Sequence, residues 1–129
     1  MSDTVSPVDD GTPGVIDTEL SQPLDGVALL TVSGEIDSLT APRLDGALQR
    51  LSGEATAVQV VDLTGVVFLA SSGLAVLIEA AHRAAAAERR LRLLVQGRPV
   101  LRALQITGTD RLFDLHTDRD AALLPHPAD

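Results

Sequence analysis

Residues 60–78 read VVDLTGVVFLASSGLAVLI, and the change of period inside this stretch decides the fold. Val60-Val61-Asp62-Leu63 is a short, β-branched run of the kind that forms a strand buried on both faces, and Thr64-Gly65 is expected to break it before Val66 to Leu69. Leu74, Leu77, Ile78, Ala81 and Ala85 then fall at i, i+3, i+4, i+7 and i+11, which predicts a helix with an apolar stripe against a core. Ser71, Ser72 and Gly73 stand on the joint. A hydroxyl at a helix start can cap free backbone donors, and a phosphate placed there would meet N–H groups and the positive end of the helix dipole. The Ser-Ser-Gly junction is therefore the first place to look for function.

Upstream, Val15 to Leu20 alternates as an edge strand would, with Gln22-Pro23-Leu24-Asp25-Gly26 as the turn into a central strand, Val27 to Val32, that ends at Ser33-Gly34. Thr40 is placed as an N-cap before Ala41 and Pro42, and Leu44, Ala47, Leu48 and Leu51 keep helical spacing up to Ser52-Gly53. That helix crosses from the Val27 strand to the Val60 strand. A right-handed β-α-β connection makes the two strands parallel and brings the loops after them to one edge of the sheet. Asp37 and Ser72 should therefore approach each other, although 35 positions separate them.

Downstream, the second helix continues through the alanine-rich Ala80 to Ala87 and ends near Glu88-Arg89-Arg90. Leu91 to Val95 reads as a strand, and Gln96-Gly97-Arg98-Pro99 opens a third helix that carries Val100, Leu101 and Leu104 and stops at Thr107-Gly108. Leu112 to His116 is a short last strand, and Thr117 with Asp120 resembles a capping box before Ala121 to Leu124. Residues 1–14 hold Asp3, Asp9, Asp10 and two prolines without apolar period, so a flexible acidic tail is expected there, one domain over residues 15–124, and a short tail over 125–129.

Composition removes several function classes. A net charge of −8 argues against nucleic acid, whose phosphates are bound by clustered cations, and 2% aromatic residues leaves almost nothing to stack on bases. No cysteine is present, which excludes disulfides, thiol catalysis and thiolate metal sites and fits a cytoplasmic protein. The longest apolar stretch, Val66 to Ile78, is broken by Ser71-Ser72-Gly73 and is shorter than the roughly 20 residues of a membrane span, and no basic-then-apolar start suggests a leader. All ten basic residues are arginine; those between Arg83 and Arg111 are read as solvated helix and strand-end surface rather than a phosphate-binding patch.

A strand-Ser-helix joint invites comparison with a serine nucleophile. The small residue such an elbow needs two places before Ser71 is Leu69, however, and His116 and His126 have no triad spacing. His82, His116 and His126 are too scattered for a metal cluster, and without lysine neither a Schiff base nor a P-loop amine can form. Two readings of Ser71 and Ser72 stay open on spacing alone: helix caps, or acceptors of a modification.

Two stretches resemble the STAS family, the domain of bacterial anti-sigma factor antagonists. One is Gly34-Glu35-Ile36-Asp37 with Thr40-Ala41-Pro42 and Leu44; the other is Asp62-Leu63, Val66, Phe68-Leu69 and Ser71-Ser72-Gly73-Leu74. Leu101, Ile106-Thr107-Gly108 and Leu112-Phe113 extend the likeness over most of Val15 to Leu124. The resemblance implies an α/β domain with a small, mixed, mostly parallel sheet, an antiparallel amino-terminal edge and about four helices. It implies a protein that binds an anti-sigma factor with serine kinase activity and frees the sigma factor. Phosphorylation by that kinase ends the interaction and a serine phosphatase restores it, with no cofactor and no catalysis by the chain itself. Carried over, Ser72 is the acceptor, with Ser71 as second choice, and Asp37, Ser38, Thr40, Ala70, Ser71, Ser72, Gly73 and Leu74 form the binding surface. Ala70 departs from the aspartate the family often has at this position. The resemblance also admits a STAS subunit of a larger assembly, a stress-signalling scaffold or a lipid-transport complex, whose serine is only a cap.

Overall fold

The computed structural model describes residues 15–124; the two expected tails lie outside the described residues. Five strands form one sheet in the order of the chain: β1 (Ile16–Leu24), β2 (Val27–Ile36), β3 (Val58–Leu69), β4 (Arg92–Leu94) and β5 (Asp114–His116). β1 is antiparallel to β2, and every later pairing is parallel. Helices α1 (Ala41–Ser52), α2 (Ser71–Ala86) and α3 (Arg98–Thr107) fill the parallel crossovers, and a short α4 (Arg119–Ala122) follows β5. This is the mixed sheet with four helices that the sequence leads one to expect.

Alternation along the strands sorts the residues into two cores. Ala28, Leu30 and Val32 of β2, with Val61 and Leu63 of β3 and Leu93 of β4, meet Leu44, Leu48 and Leu51 of α1, Leu77 of α2 and Leu104 of α3. Three crossovers that share one hand, joining strands added in sequential order, must leave their helices on one face, as they do here. The residues between them, Val27, Leu29, Val58, Val60 and Leu94, face the other way and are covered by Ala122 and Leu123 of the α4 segment. A buried arginine ties that cover down. Arg92 Nη1 donates to the carbonyls of Ala122 (2.9 Å) and Leu124 (2.6 Å), while its Nε lies 3.7 Å from Asp114 Oδ2. Asp62, also buried, accepts from Thr64 N–H and Oγ1 and faces Arg119 Nη1 at 3.6 Å.

Several boundaries differ from expectation, among them the last strand, which begins only at Asp114 because Thr109–Leu112 forms a 3-10 turn. β1 runs on through Gln22-Pro23, leaving only Asp25-Gly26 as the turn, because proline is tolerated where an edge strand has no outer partner to donate to. Ser33-Gly34 does not end β2: Gly34 has φ +105°, and a Cβ there would strike the carbonyl oxygen of Val15, so glycine lets β1 begin against β2 at this point. Nor does Thr64-Gly65 break β3, which continues to Leu69 beside the lengthened β2. Finally, the cap of α4 is Asp118, whose carboxylate accepts from Ala121 N–H at 3.1 Å, rather than Thr117.

Leu77 is fully buried at the centre of the helical core. Leu77→Ala should destabilise the domain by about 2–5 kcal/mol in urea unfolding. A change within experimental error would mean that α2 does not seal this face.

Candidate functional site

The parallel β2–β3 pair ends with Ile36 opposite Leu69, and Ala70 N–H then donates to Ile36 C=O at 2.8 Å. Both chains turn into helices from this shared point. The Asp37 loop and the Ala70-Ser71-Ser72 joint thus leave the sheet side by side, as the crossover geometry requires. Gly73, one turn into α2, is buried against the same residue: a Cβ here would collide with Ile36 Cγ2 and lie 2.8 Å from Leu69 Cδ1. Gly73 and Leu74 are accordingly packing residues beneath the surface, while Ser71 is exposed and Ser72 half-buried above them.

Neither serine caps α2. The N-cap position belongs to Ala70, which has no side-chain acceptor, and the first turn holds no acidic residue. The first intrahelical bond is Leu74 N–H to Ala70 C=O at 3.0 Å, so the amides of Ser71, Ser72 and Gly73 precede it and point out of the helix start. Ser72 Oγ is itself buried and has no hydrogen-bond partner. A buried hydroxyl without a partner is uncommon, and it does not contribute to stability as a cap would.

Asp37, by contrast, organises its own loop. Its Oδ1 accepts from Leu39 N–H (2.9 Å) and Thr40 N–H (3.0 Å), its N–H donates to Thr40 Oγ1 (2.9 Å), and Thr40 Oγ1 donates to Glu35 C=O (2.9 Å). Thr40 is buried and does not cap α1 with its side chain as the spacing suggested; the Asp37 carboxylate instead holds the turn that leads into that helix. Ser38 and Leu39 are pushed outward by this turn, and Leu39 is 76% exposed.

Two residues at this end of the sheet escaped the sequence reading as surface features. In the register, Gly34 pairs with Val66 but Glu35 pairs with Phe68, so Val67 is an extra residue on β3. The bulge interrupts alternation and leaves Val67 and Phe68 both outward, at 65% and 51% exposure. Together with Leu39 they put three exposed apolar side chains at the end of the sheet that carries the serine joint.

Among the described residues there is no group of three or more His, Cys, Asp or Glu able to hold a metal, and His82 and His116 are elsewhere, the latter 3.3 Å from Asp114 on β5. No helix among the described residues is long and apolar enough to cross a membrane.

The loop chemistry gives a direct expectation for Asp37. Asp37→Ala removes the acceptor of two backbone amides and should cost about 0.5–2 kcal/mol, whereas Asp37→Asn keeps an acceptor oxygen and should cost less. Equal melting temperatures for wild type and both variants would refute the structural role.

Comparison with known proteins places this geometry. The STAS domain family matches residues 21–122. Anti-sigma-F factor antagonist RsfB of Mycobacterium tuberculosis is 31% identical over 98 residues, 76% of this chain and 80% of RsfB. The crystal structure of an anti-sigma factor antagonist from Mycobacterium paratuberculosis is 32% identical and superposes with a TM-score of 0.77 over 87% of this chain and 94% of that one. SpoIIAA of Bacillus, in its unphosphorylated form, shares the fold at 17% identity, with a TM-score of 0.65 over 81% and 92% of the two chains. A match over most of the chain makes this protein a member of the STAS domain family.

Proposed function

We propose that this chain is an anti-sigma factor antagonist, a protein-binding switch whose partner is an anti-sigma factor with serine kinase activity. One observation carries the reading: Leu39, Val67 and Phe68 stand exposed at the same sheet end as Ser71 and Ser72, where nothing in the fold requires them. Exposed apolar side chains beside a polar joint are what a protein interface uses, and the absence of a net positive surface disfavours nucleic acid as the occupant. The names of the mycobacterial relatives support the same partner class.

The acceptor in this reading is Ser72, and a phosphatase reverses its modification. The γ-phosphoryl group of ATP passes to Ser72 Oγ: the new Oγ–P bond forms as the bond to the β-phosphate breaks, ADP leaves, and a base of the kinase takes the hydroxyl proton. Because Oγ is buried, a rotation about the Cα–Cβ bond or opening of the first turn of α2 precedes transfer. The uncapped start of α2 suits both states: its free amides can donate to a phosphate without unfolding of the domain, while the phosphate's charge of about −1.5 to −2 opposes an apolar, neutral interface. Asp37, Ser38 and Thr40 shape the neighbouring loop, and Ala70, Ser71, Gly73 and Leu74 set the height of the joint. Ala70 carries no charge where the family often has aspartate, so kinase recognition rests more heavily on the apolar contacts.

Ser72→Ala should bind the cognate anti-sigma factor and resist phosphorylation, and Ser72→Asp should fold but bind about a hundredfold more weakly, equivalent to roughly 2.8 kcal/mol. Calorimetry reads the affinities, and peptide mapping after incubation with kinase and ATP locates the phosphate. Phosphate on Ser71 alone would move the switch to the exposed neighbour; no phosphate with a kinase that binds the chain would leave a constitutive binding module.

A further inference from the structure

At the far end of α2 from the serine joint, the carboxy-terminal turns of α1 and α2 and the start of β3 and β4 enclose a cavity of about 220 Å³. Its floor is apolar, formed by Leu48, Leu51 and Leu91. Two arginines, Arg83 and Arg89, reach its wall. The composition reading took these arginines as solvated surface; for Arg83 the structure corrects it. Its Nε and Nη2 are buried and have no hydrogen-bond partner, and no carboxylate among the described residues lies within ion-pair distance of it.

The identity of the two atoms is informative. Nε and Nη2 lie on the same edge of a guanidinium, and their parallel N–H bonds are the fork that grips two oxygens of a carboxylate or phosphate. Arg83 does benefit from its position in the last turn of α2, whose dipole favours a cation. That interaction is diffuse, however, and supplies no acceptor to either N–H, so the desolvated fork stays unsatisfied. A second cation is built in alongside it. Glu88 takes a left-handed φ of 60°, unusual for a non-glycine residue, and Arg89 N–H then bonds back to Ala84 C=O at 2.8 Å. This turn fixes Arg89 at the cavity wall, and no protein group pairs with its guanidinium among the described residues. Arg90 and Arg92 differ: both are spent on backbone carbonyls.

We infer that this cavity is a binding site for a small amphiphilic anion, with a carboxylate or phosphate headgroup on the open edge of Arg83, Arg89 beside it, and a short apolar body on Leu48, Leu51 and Leu91. The volume is below the roughly 300–1,000 Å³ of drug-sized ligand sites, which limits the occupant to a small molecule. The site is separate from the switch, since the eleven residues of α2 from Ser72 to Arg83 hold the two about 17 Å apart, at 1.5 Å of rise per residue.

The test uses hexyl phosphate and hexanoate as probes, with inorganic phosphate and hexanol as the separated halves. At least one amphiphile should bind ten times or more tightly than either half, with amide shifts centred on residues 48–52, 59, 80 and 83–91; which one binds identifies the headgroup. Arg83→Met should melt no lower than wild type in the absence of ligand, because it removes a buried charge without partners, and should lose the binding tenfold or more. Ala84→Leu, which fills the cavity and leaves the charge, should block the amphiphile as well. The proposal falls if neither amphiphile binds, if Arg83→Met binds equally well, or if that variant melts well below wild type, which would show that protein groups already hold the fork.

Discussion

The parallel pairing of β2 with β3 is the constraint on which the molecule depends. It runs from Val27 opposite Val58 to Ile36 opposite Leu69, further than any other parallel pairing in the sheet, while β4 meets β3 only at Val60 to Asp62. Length matters here because the last rungs lie beyond the rest of the sheet and carry the two loops with them. The bond from Ala70 N–H to Ile36 C=O ends the ladder and starts α2, so the position of the serine joint relative to the Asp37 loop is set by strand register. A slip of one residue would move every side chain of β3 to the opposite face and destroy both cores.

How much of this could be read from the sequence depended on which interactions were local. The helix in residues 71–86 was legible because its apolar residues recur with the helical period, and the parallel crossover followed from strand, helix and strand in succession. Gly34 and Gly65 misled because glycine breaks strands by default, and only a neighbouring chain could show why one was needed: β1 approaches too closely at Gly34 for any side chain. The bulge at Val67 was invisible for a similar reason. Counting residues on one strand gives no information about the count on its partner, and the exposure of Phe68 directly after the exposed Val67 follows from that mismatch. Asp37 was found for its position at the edge, yet its bonds to Leu39 and Thr40 give it a local duty that position alone did not reveal.

The same division separates the arginines. Spacing describes them as one cationic group, but their environments differ: Arg92 is buried and satisfied by carbonyls from α4, Arg90 reaches the carbonyls of Arg111 and Phe113, and Arg83 is desolvated with nothing to hold. Guanidinium is suited to each of these sites because it stays charged when buried and presents several donors in a fixed plane. A chain that uses arginine at every basic position can place cations inside the fold where an ammonium group would lose its proton.

The cover on the second sheet face has a consequence for how the protein is made. β2 and β3 are complete once residue 69 has been synthesised, but the carbonyls that satisfy Arg92 belong to Ala122 and Leu124, some 50 residues later. At ordinary elongation rates that interval is about 3–10 s, much longer than a strand pair needs to form. Throughout it, Val27, Leu29, Val58 and Val60 lack their cover, while the other face gathers Leu77, Leu93 and Leu104 as the chain lengthens. Docking of α4 therefore marks the moment at which the new chain stops offering a greasy strip to chaperones and to other copies of itself.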